Sequence, residues 1–407
     1  MSILTTGLQV TKRNFAVIAI LFFSFFAWYF SFSTYVLQSF AAVPPYSGLT
    51  IGALFNITIA VSLVGSSFFI NMFSKIRLIY GFVLATSVAS LFLAVISVAI
   101  VRLIIILALG VLFAIGQLTF FTLFWTLTRS EERGRVAGFA GFFALPLVII
   151  VGLIAQASGS FGSLVLSVVL GFGALSITFL RDENKKALKE TKEGKRIHPE
   201  KRIILLYLLP WILFSVINQT LARNMASNVP ETIPFALLTV FVLQMAASGL
   251  GAAVGGMVAD FFGRRLAIAF CLTLYGFALI LGVSVQNYLV IYFSYVVNGL
   301  NWGILFVMYT AVVWGDLADE KSVAKRYSLG LSIFYLASGV GMFLAPQLLQ
   351  IPLLVSALLG CSLIFLSNVP LALAPELLSA DFREKIKLKW YVKAVKKIGR
   401  KRSQDQG

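Results

Sequence analysis

Long apolar runs alternate with short polar interruptions along almost the whole chain. In order, the runs cover residues 14–37, 49–70, 78–98, 102–126, 137–156 and 160–180, then 203–222, 233–257, 266–284, 288–314, 327–349 and 352–374. A helix that crosses the hydrocarbon core of a bilayer needs about 20 mostly apolar residues. Each run has that reach, so the pattern predicts twelve spanning helices, six on either side of the polar stretch 181–202. The shortest turns fall at 98–102 and 156–160. Lys12-Arg13 precedes an apolar run too long for a cleaved signal peptide, so this run reads as a retained first helix.

The cations test that count. Lys12, Arg13, Lys75, Arg77, Arg129, Arg133 and Arg135 all fall before helix 1 or in even-to-odd loops. So do the basic residues from Arg181 to Arg202, Arg264, Arg265, Lys321, Lys325, Arg326 and the tail from Arg383. Arg102 and Arg223 fall on the other side. Positive loops stay in the cytoplasm, so both termini are expected inside, in a multi-pass protein of the plasma membrane. One missed helix would scatter these charges over both faces.

A shift of 189 residues lays the second half over the first. It matches Lys12-Arg13 with Lys201-Arg202, Gly110 with Gly299, Trp125 with Trp314, and Ser130-Glu131 with Asp319-Glu320. The expected organisation is a six-helix bundle over 1–180, a cytoplasmic linker over 181–202, a second bundle over 203–375 and a basic tail over 376–407.

Composition agrees. Of 407 residues, 59% are hydrophobic and 12% charged, far from a soluble domain. The net charge of +17 is placed as membrane-orienting loops and is not read as a nucleic-acid surface. Cys271 and Cys361 lie inside apolar runs and read as small buried hydrophobes. His198, the one histidine, sits in a charged loop. No metal-ligand cluster, nucleophile–base pair or phosphate loop stands out. Neither enzymatic activity, a cofactor nor a bound metal is expected.

The most informative stretch is Gly255–Arg265. It contains Gly256-xxx-Asp260-xx-Gly263-Arg264-Arg265 between two apolar runs. Ser248, Ala252, Gly256 and Asp260 recur every four residues, so small residues on one helical face lead to an acid. Such ladders let membrane helices approach closely. Asp260 is expected to end the helix, and Gly263 to permit a tight reversal. Shifted back by 189 residues, the pattern meets Ser67-xxx-Asn71-xx-Ser74-Lys75, which lacks the acid and both glycines.

This stretch resembles the loop signature of the major facilitator superfamily, the twelve-helix solute transporters, where it joins helices 2 and 3 and recurs between helices 8 and 9. Glu132-Arg133-Gly134-Arg135 resembles the Arg-Gly-Arg loop after helix 4 of many members, and Gly341-Met-Phe-Leu-Ala345-Pro346 resembles a Gly-xxx-Gly-Pro helix signature with Ala for Gly. The resemblance implies an all-α integral membrane protein of two pseudo-symmetric six-helix bundles; the sequence does not fix the oligomeric state, and a monomer is expected. The resemblance also implies a central cavity lined by helices 1, 4, 7 and 10. Near mid-depth those helices offer Trp28 and Tyr29, then Gln117, then Trp211, then Asn298, Asn301 and Trp302. Residues 298, 301 and 302 share one helical face. Amides at that depth should face protein or water. They read either as solute contacts or as helix–helix hydrogen bonds.

No Asp or Glu lies in the core of any helix, so a neutral polar solute such as a sugar is favoured. The alternatives are an efflux carrier for amphiphilic compounds and a non-transporting scaffold or sensor. Asp260 is expected to approach the start of helix 11 while Arg264 or Arg265 pairs with Asp316. Gly256, Asp260, Gly263, Arg264, Arg265 and Asp316 would then form a conformational latch on the second bundle. The basic, partly apolar tail from Phe382 is a candidate surface helix for anionic inner-leaflet lipid.

Overall fold

A computed structural model describes residues 10–41, 47–180, 201–221, 236–284, 287–348 and 350–378, together with residue 384. Side chains are described for these residues except 236–241 and 288. The linker expected at 181–202 lies outside them apart from Lys201 and Arg202, which open a helix. The tail helix expected from Phe382 also lies outside them, apart from residue 384.

Twelve helices among the described residues are long and apolar enough to cross a membrane. They are α1 (Lys12–Ser39), α2 (Gly48–Ser66), α3 (Lys75–Val95), α4 (Ala99–Leu127), α5 (Ser130–Ala157) and α6 (Gly159–Phe172, continued by a 3-10 segment Gly173–Phe179). After the linker come α7 (Lys201–Gln219), α8 (Ala236–Phe262), α9 (Arg264–Ser284), α10 (Tyr288–Val307), α11 (Val323–Leu348) and α12 (Leu353–Leu373). A π-turn, Met308–Val312, carries α10 on into Val313–Asp316.

Packing repeats with a period of six helices. α1 packs on α5 and α6, and α4 on α2 and α3. In the same way α7 packs on α11 and α12, and α10 on α8 and α9. The halves meet along two seams, α2 against α11 and α5 against α8. Among the described residues, Lys12, Arg13, Lys75, Arg77, Arg129, Arg133, Arg135, Arg264, Arg265, Lys321, Lys325 and Arg326 lie at the helix ends on one side of this bundle, called the basic end below.

Two helices run further than the apolar pattern predicts. α5 begins at Ser130, so Glu132-Arg133-Gly134-Arg135, expected as a loop, forms its first turns. At 1.5 Å per residue, α5 spans about 42 Å, more than the hydrocarbon core, and its charged end can lie beyond the apolar region. Likewise α8 continues past Asp260 to Phe262, and Asp260 does not end it. The reversal falls at Gly263, whose φ of 116° strains any residue with a Cβ.

The small-residue ladder of α8 lies against a second ladder on α5. A Cβ on Gly256 would strike the carbonyl oxygen of Gly134, and one on Gly138 would sit 2.5 Å from that of Ala252. Further along, Gly249 faces the ring of Pro146. On its other side α8 meets α10, where Gly299 and Gly303 face the carbonyls of Gln244 and Ser248. Glycines thus bring three backbones together at the centre of the molecule.

Candidate functional site

The seam between α5 and α8 ends in a buried ionic cluster. Asp260 is fully buried. Its Oδ1 accepts from the Gly134 backbone N–H at 3.0 Å and lies 3.0 Å from Arg264 Nη2. Its Oδ2 accepts from the Arg135 backbone N–H at 2.8 Å and from Arg135 Nε at 3.2 Å. Four donors therefore meet one carboxylate. Two of them are backbone amides of the fifth and sixth residues of α5, close to the positive end of that helix, which favours an anion.

Asp316, at the end of α10, is the second acid. Its Oδ1 accepts from Ser130 Oγ at 2.9 Å and from Arg133 Nη1, and its Oδ2 accepts from Arg264 Nε at 2.8 Å. Arg264 also donates to the carbonyls of Ala259, at 2.6 Å, and Ser130. Arg133 and Arg135 belong to the first half; Asp260, Arg264 and Asp316 belong to the second. The cluster is therefore a bridge between the halves. Removing one member of such a buried set leaves an uncompensated charge, which costs far more than an exposed pair is worth.

The expected approach of Asp260 to the start of helix 11 is corrected here. Asp260 faces the N-terminal part of α5, because the α5 and α8 glycines bring those two backbones into contact and put the backbone amides of Gly134 and Arg135 within its reach. The Arg265 side chain turns away from Asp260 and Asp316: its Nη1 donates to the Ala374 carbonyl at 3.0 Å. Below Gly263, the Glu376 carboxylate accepts from the backbone N–H groups of Arg264, at 2.7 Å, and Arg265, at 3.1 Å. It caps the first turn of α9. Sequence reasoning missed Glu376; an acid after Ala374-Pro375, just beyond the last apolar run, was the available signal. Trp125 was also missed. Its Nε1 donates across the halves to the Gly315 carbonyl at 2.9 Å.

At mid-depth the space between the halves is filled with rings. Tyr29 meets Tyr335 with centroids 5.1 Å apart, Phe26 meets Phe306 at 5.0 Å, and Trp302 stacks on Phe306 at 4.7 Å. Gln117 Nε2 donates to Tyr335 Oη at 2.7 Å, and Tyr29 Oη donates to Asn56 Oδ1 at 2.6 Å. Tyr335 thus joins the expected residues Tyr29 and Gln117 from α11, a helix outside the expected cavity lining. Three buried polar atoms here lack a hydrogen-bond partner: Gln117 Oε1, Asn298 Oδ1 and Asn301 Nδ2. Most buried polar groups are paired, so partnerless ones at a shared interface suit a ligand or water.

Trp28 does not join this group. It stacks on Phe32 and Phe113 at 4.9 and 5.0 Å and lies against Gly171, inside the first half. Successive helical residues point about 100° apart, so Trp28 and Tyr29 cannot both face the centre. Trp211 likewise turns into the second half, donating to the Gly330 carbonyl at 2.7 Å and stacking on Tyr309. Among the described residues no group of His, Cys, Asp or Glu could hold a metal ion.

No protein-family model matches the chain, and no curated protein does. Solved structures do. The chain is similar to the crystal structure of the human organic anion transporter MFSD10 (TETRAN), with a TM-score of 0.68 and 12% identity. The match covers 89% of this chain and 100% of that one. At that identity the likeness is one of fold. The chain is a multi-pass membrane protein with the major facilitator fold, in which two pseudo-symmetric six-helix halves face each other.

Proposed function

We propose that this major facilitator fold serves a secondary carrier, which moves a small organic solute by alternating access. The basic end is the cytoplasmic end, and the carrier here has its cytoplasmic side closed. The observation that carries the reading is the bridge of Arg133, Arg135, Asp260, Arg264 and Asp316 between the halves. It holds one end of the interface shut, while partnerless amides wait at mid-depth. Opening that end must break the cluster, so its strength sets the balance between the two states. Gly256 and Gly263 supply the close approach and the turn that the latch requires.

The solute is neutral and polar, with a face that stacks on rings; a sugar fits that description. Gln117, Asn298 and Asn301 offer amides, Trp302 and Tyr29 offer faces, and no carboxylate lies among them. A second reading is an organic anion. It is favoured by Arg102 at the opposite end, which donates to Tyr35 Oη at 2.9 Å while its buried Nε has no hydrogen-bond partner. The transporter of similar fold moves organic anions. An amphiphile-efflux role would use the same rings, and a scaffold would use none of these groups.

A solute panel scored by thermal stabilisation of the purified protein separates these readings. Stabilisation by sugars that Asn301→Ala and Trp302→Ala abolish supports the first. Stabilisation by organic carboxylates that Arg102→Gln abolishes supports the second. Loss of the carrier reading would follow from two results together: no solute stabilises the protein, and the cytoplasmic end never becomes accessible to thiol reagents.

A further inference from the structure

The turn between α2 and α3 occupies the place that Gly255–Arg265 holds in the second half, yet it is built differently. Ile70 is buried, as is its counterpart Ala259. Asn71, in the place of the buried Asp260, is exposed. α2 stops at Ser66, and the chain continues through a 3-10 turn, Ile70–Met72. At 1.5 Å per residue α2 covers about 28 Å, close to the full hydrocarbon thickness. The turn therefore lies at the inner boundary of the bilayer.

There it exposes large apolar side chains. Phe68 is 69% exposed, Phe69 38%, Met72 79% and Phe73 55%. Four such groups in water would be costly at about 25 cal/mol per Å². Phe and Met side chains of a surface segment are at home at the boundary between headgroups and acyl chains. Cations border them. Arg77 is exposed in the first turn of α3, and the Lys325 ammonium from the other half lies 5.3 Å from the Phe68 ring centre. No Asp or Glu occurs anywhere in the first 130 residues. Lys12 and Arg13 at the same end are exposed too. The first half brings only cations to this apolar tip, with no acid up to Glu131; Asp319 and Glu320 lie on the second-half loop that leads to Lys325.

We infer that the Phe68–Phe73 turn, with Arg77 and Lys325, is a binding surface for anionic phospholipid of the cytoplasmic leaflet. The rings and Met72 enter the acyl boundary, and the cations take the headgroup phosphates. Where the second half turned this loop inward as an ionic bridge, the first half turned it outward to the membrane.

The test uses the full chain with Met72→Cys, labelled with a fluorophore and placed in nanodiscs with and without phosphatidylglycerol. Cys271 and Cys361 are buried, which confines labelling to the new thiol. Brominated acyl chains should quench the label, and aqueous acrylamide should not. Energy transfer to headgroup-labelled lipid should favour phosphatidylglycerol over phosphatidylcholine. Arg77→Gln should weaken that preference about fivefold, the worth of one cation at an anionic surface. Arg77 is exposed, so this variant keeps the fold. Quenching by acrylamide instead of brominated lipid would overturn the inference. So would equal association of the two lipids, a preference unchanged by Arg77→Gln, or a disulfide between two copies of the unlabelled Met72→Cys variant.

Discussion

Asp260 accepts from two backbone amides and two arginines, and every one of these is a donor. In Asp260→Asn the amide nitrogen must face a donor on one side, and the arginines lose their counter-charge. Breaking a buried pair this way costs about 3 kcal/mol. Thermal unfolding of the variant should fall accordingly, and thiols placed at the cytoplasmic end should label faster. Unchanged labelling would remove the latch. Gly256 is a second point of control. Gly256→Val puts branched carbons against the Gly134 carbonyl, a clash that the backbone must relieve at a cost of about 2 kcal/mol. The same change at Gly65, which has open space around it, should be nearly silent in unfolding measurements. At this scale the sequence revealed acids, arginines and small residues at helical spacing. It could not reveal which partner each acid meets, because Gly134 and Asp260 lie 126 positions apart.

Helices were legible to within a few residues wherever the apolar run set their ends. They were misjudged where charge continued a helix beyond the bilayer. The first turn of α5 reads as a polar loop because Glu132, Arg133 and Arg135 are charged. The burial of Arg133 and Arg135 depends on acids from α8 and α10, and no local pattern reports that. The same limit hid Glu376, whose task is to cap α9. Glu376→Ala should loosen the start of α9 by about 1 kcal/mol, the usual worth of a helix cap. Amide hydrogen exchange should rise at Arg264 and Arg265 while the far end of α9 stays protected.

For the whole molecule, the twelve-helix count and the division into two six-helix halves follow from composition and period, and the fold agrees with them. The asymmetry between the two corresponding loops was visible as a decayed motif, but its physical meaning needed burial. One loop holds the halves together and the other faces outward. Cooperation within the bridge should appear as non-additivity. Arg133→Gln combined with Asp316→Asn should cost less than the two single changes summed, by on the order of 1 kcal/mol or more. Additive effects would mean that the halves are not coupled through this pair.

The π-turn at Met308–Val312 makes α10 a helix of two phases. Such a turn holds one residue more than a regular α-helical turn. Upstream of it the helix presents Asn298, Asn301 and Trp302 to the interface; downstream it presents Asp316 to two arginines. Deleting Ala311 would let the helix heal into a regular α-helix and keep Asp316 opposite Arg133 and Arg264, because the turn carries one spare residue in nearly the same arc. Deleting a second residue there would find no spare left and would swing Asp316 about 100° away from Arg133 and Arg264, although no bridging side chain had changed. A change of chain length, invisible to any scan of single substitutions, would unlock this molecule.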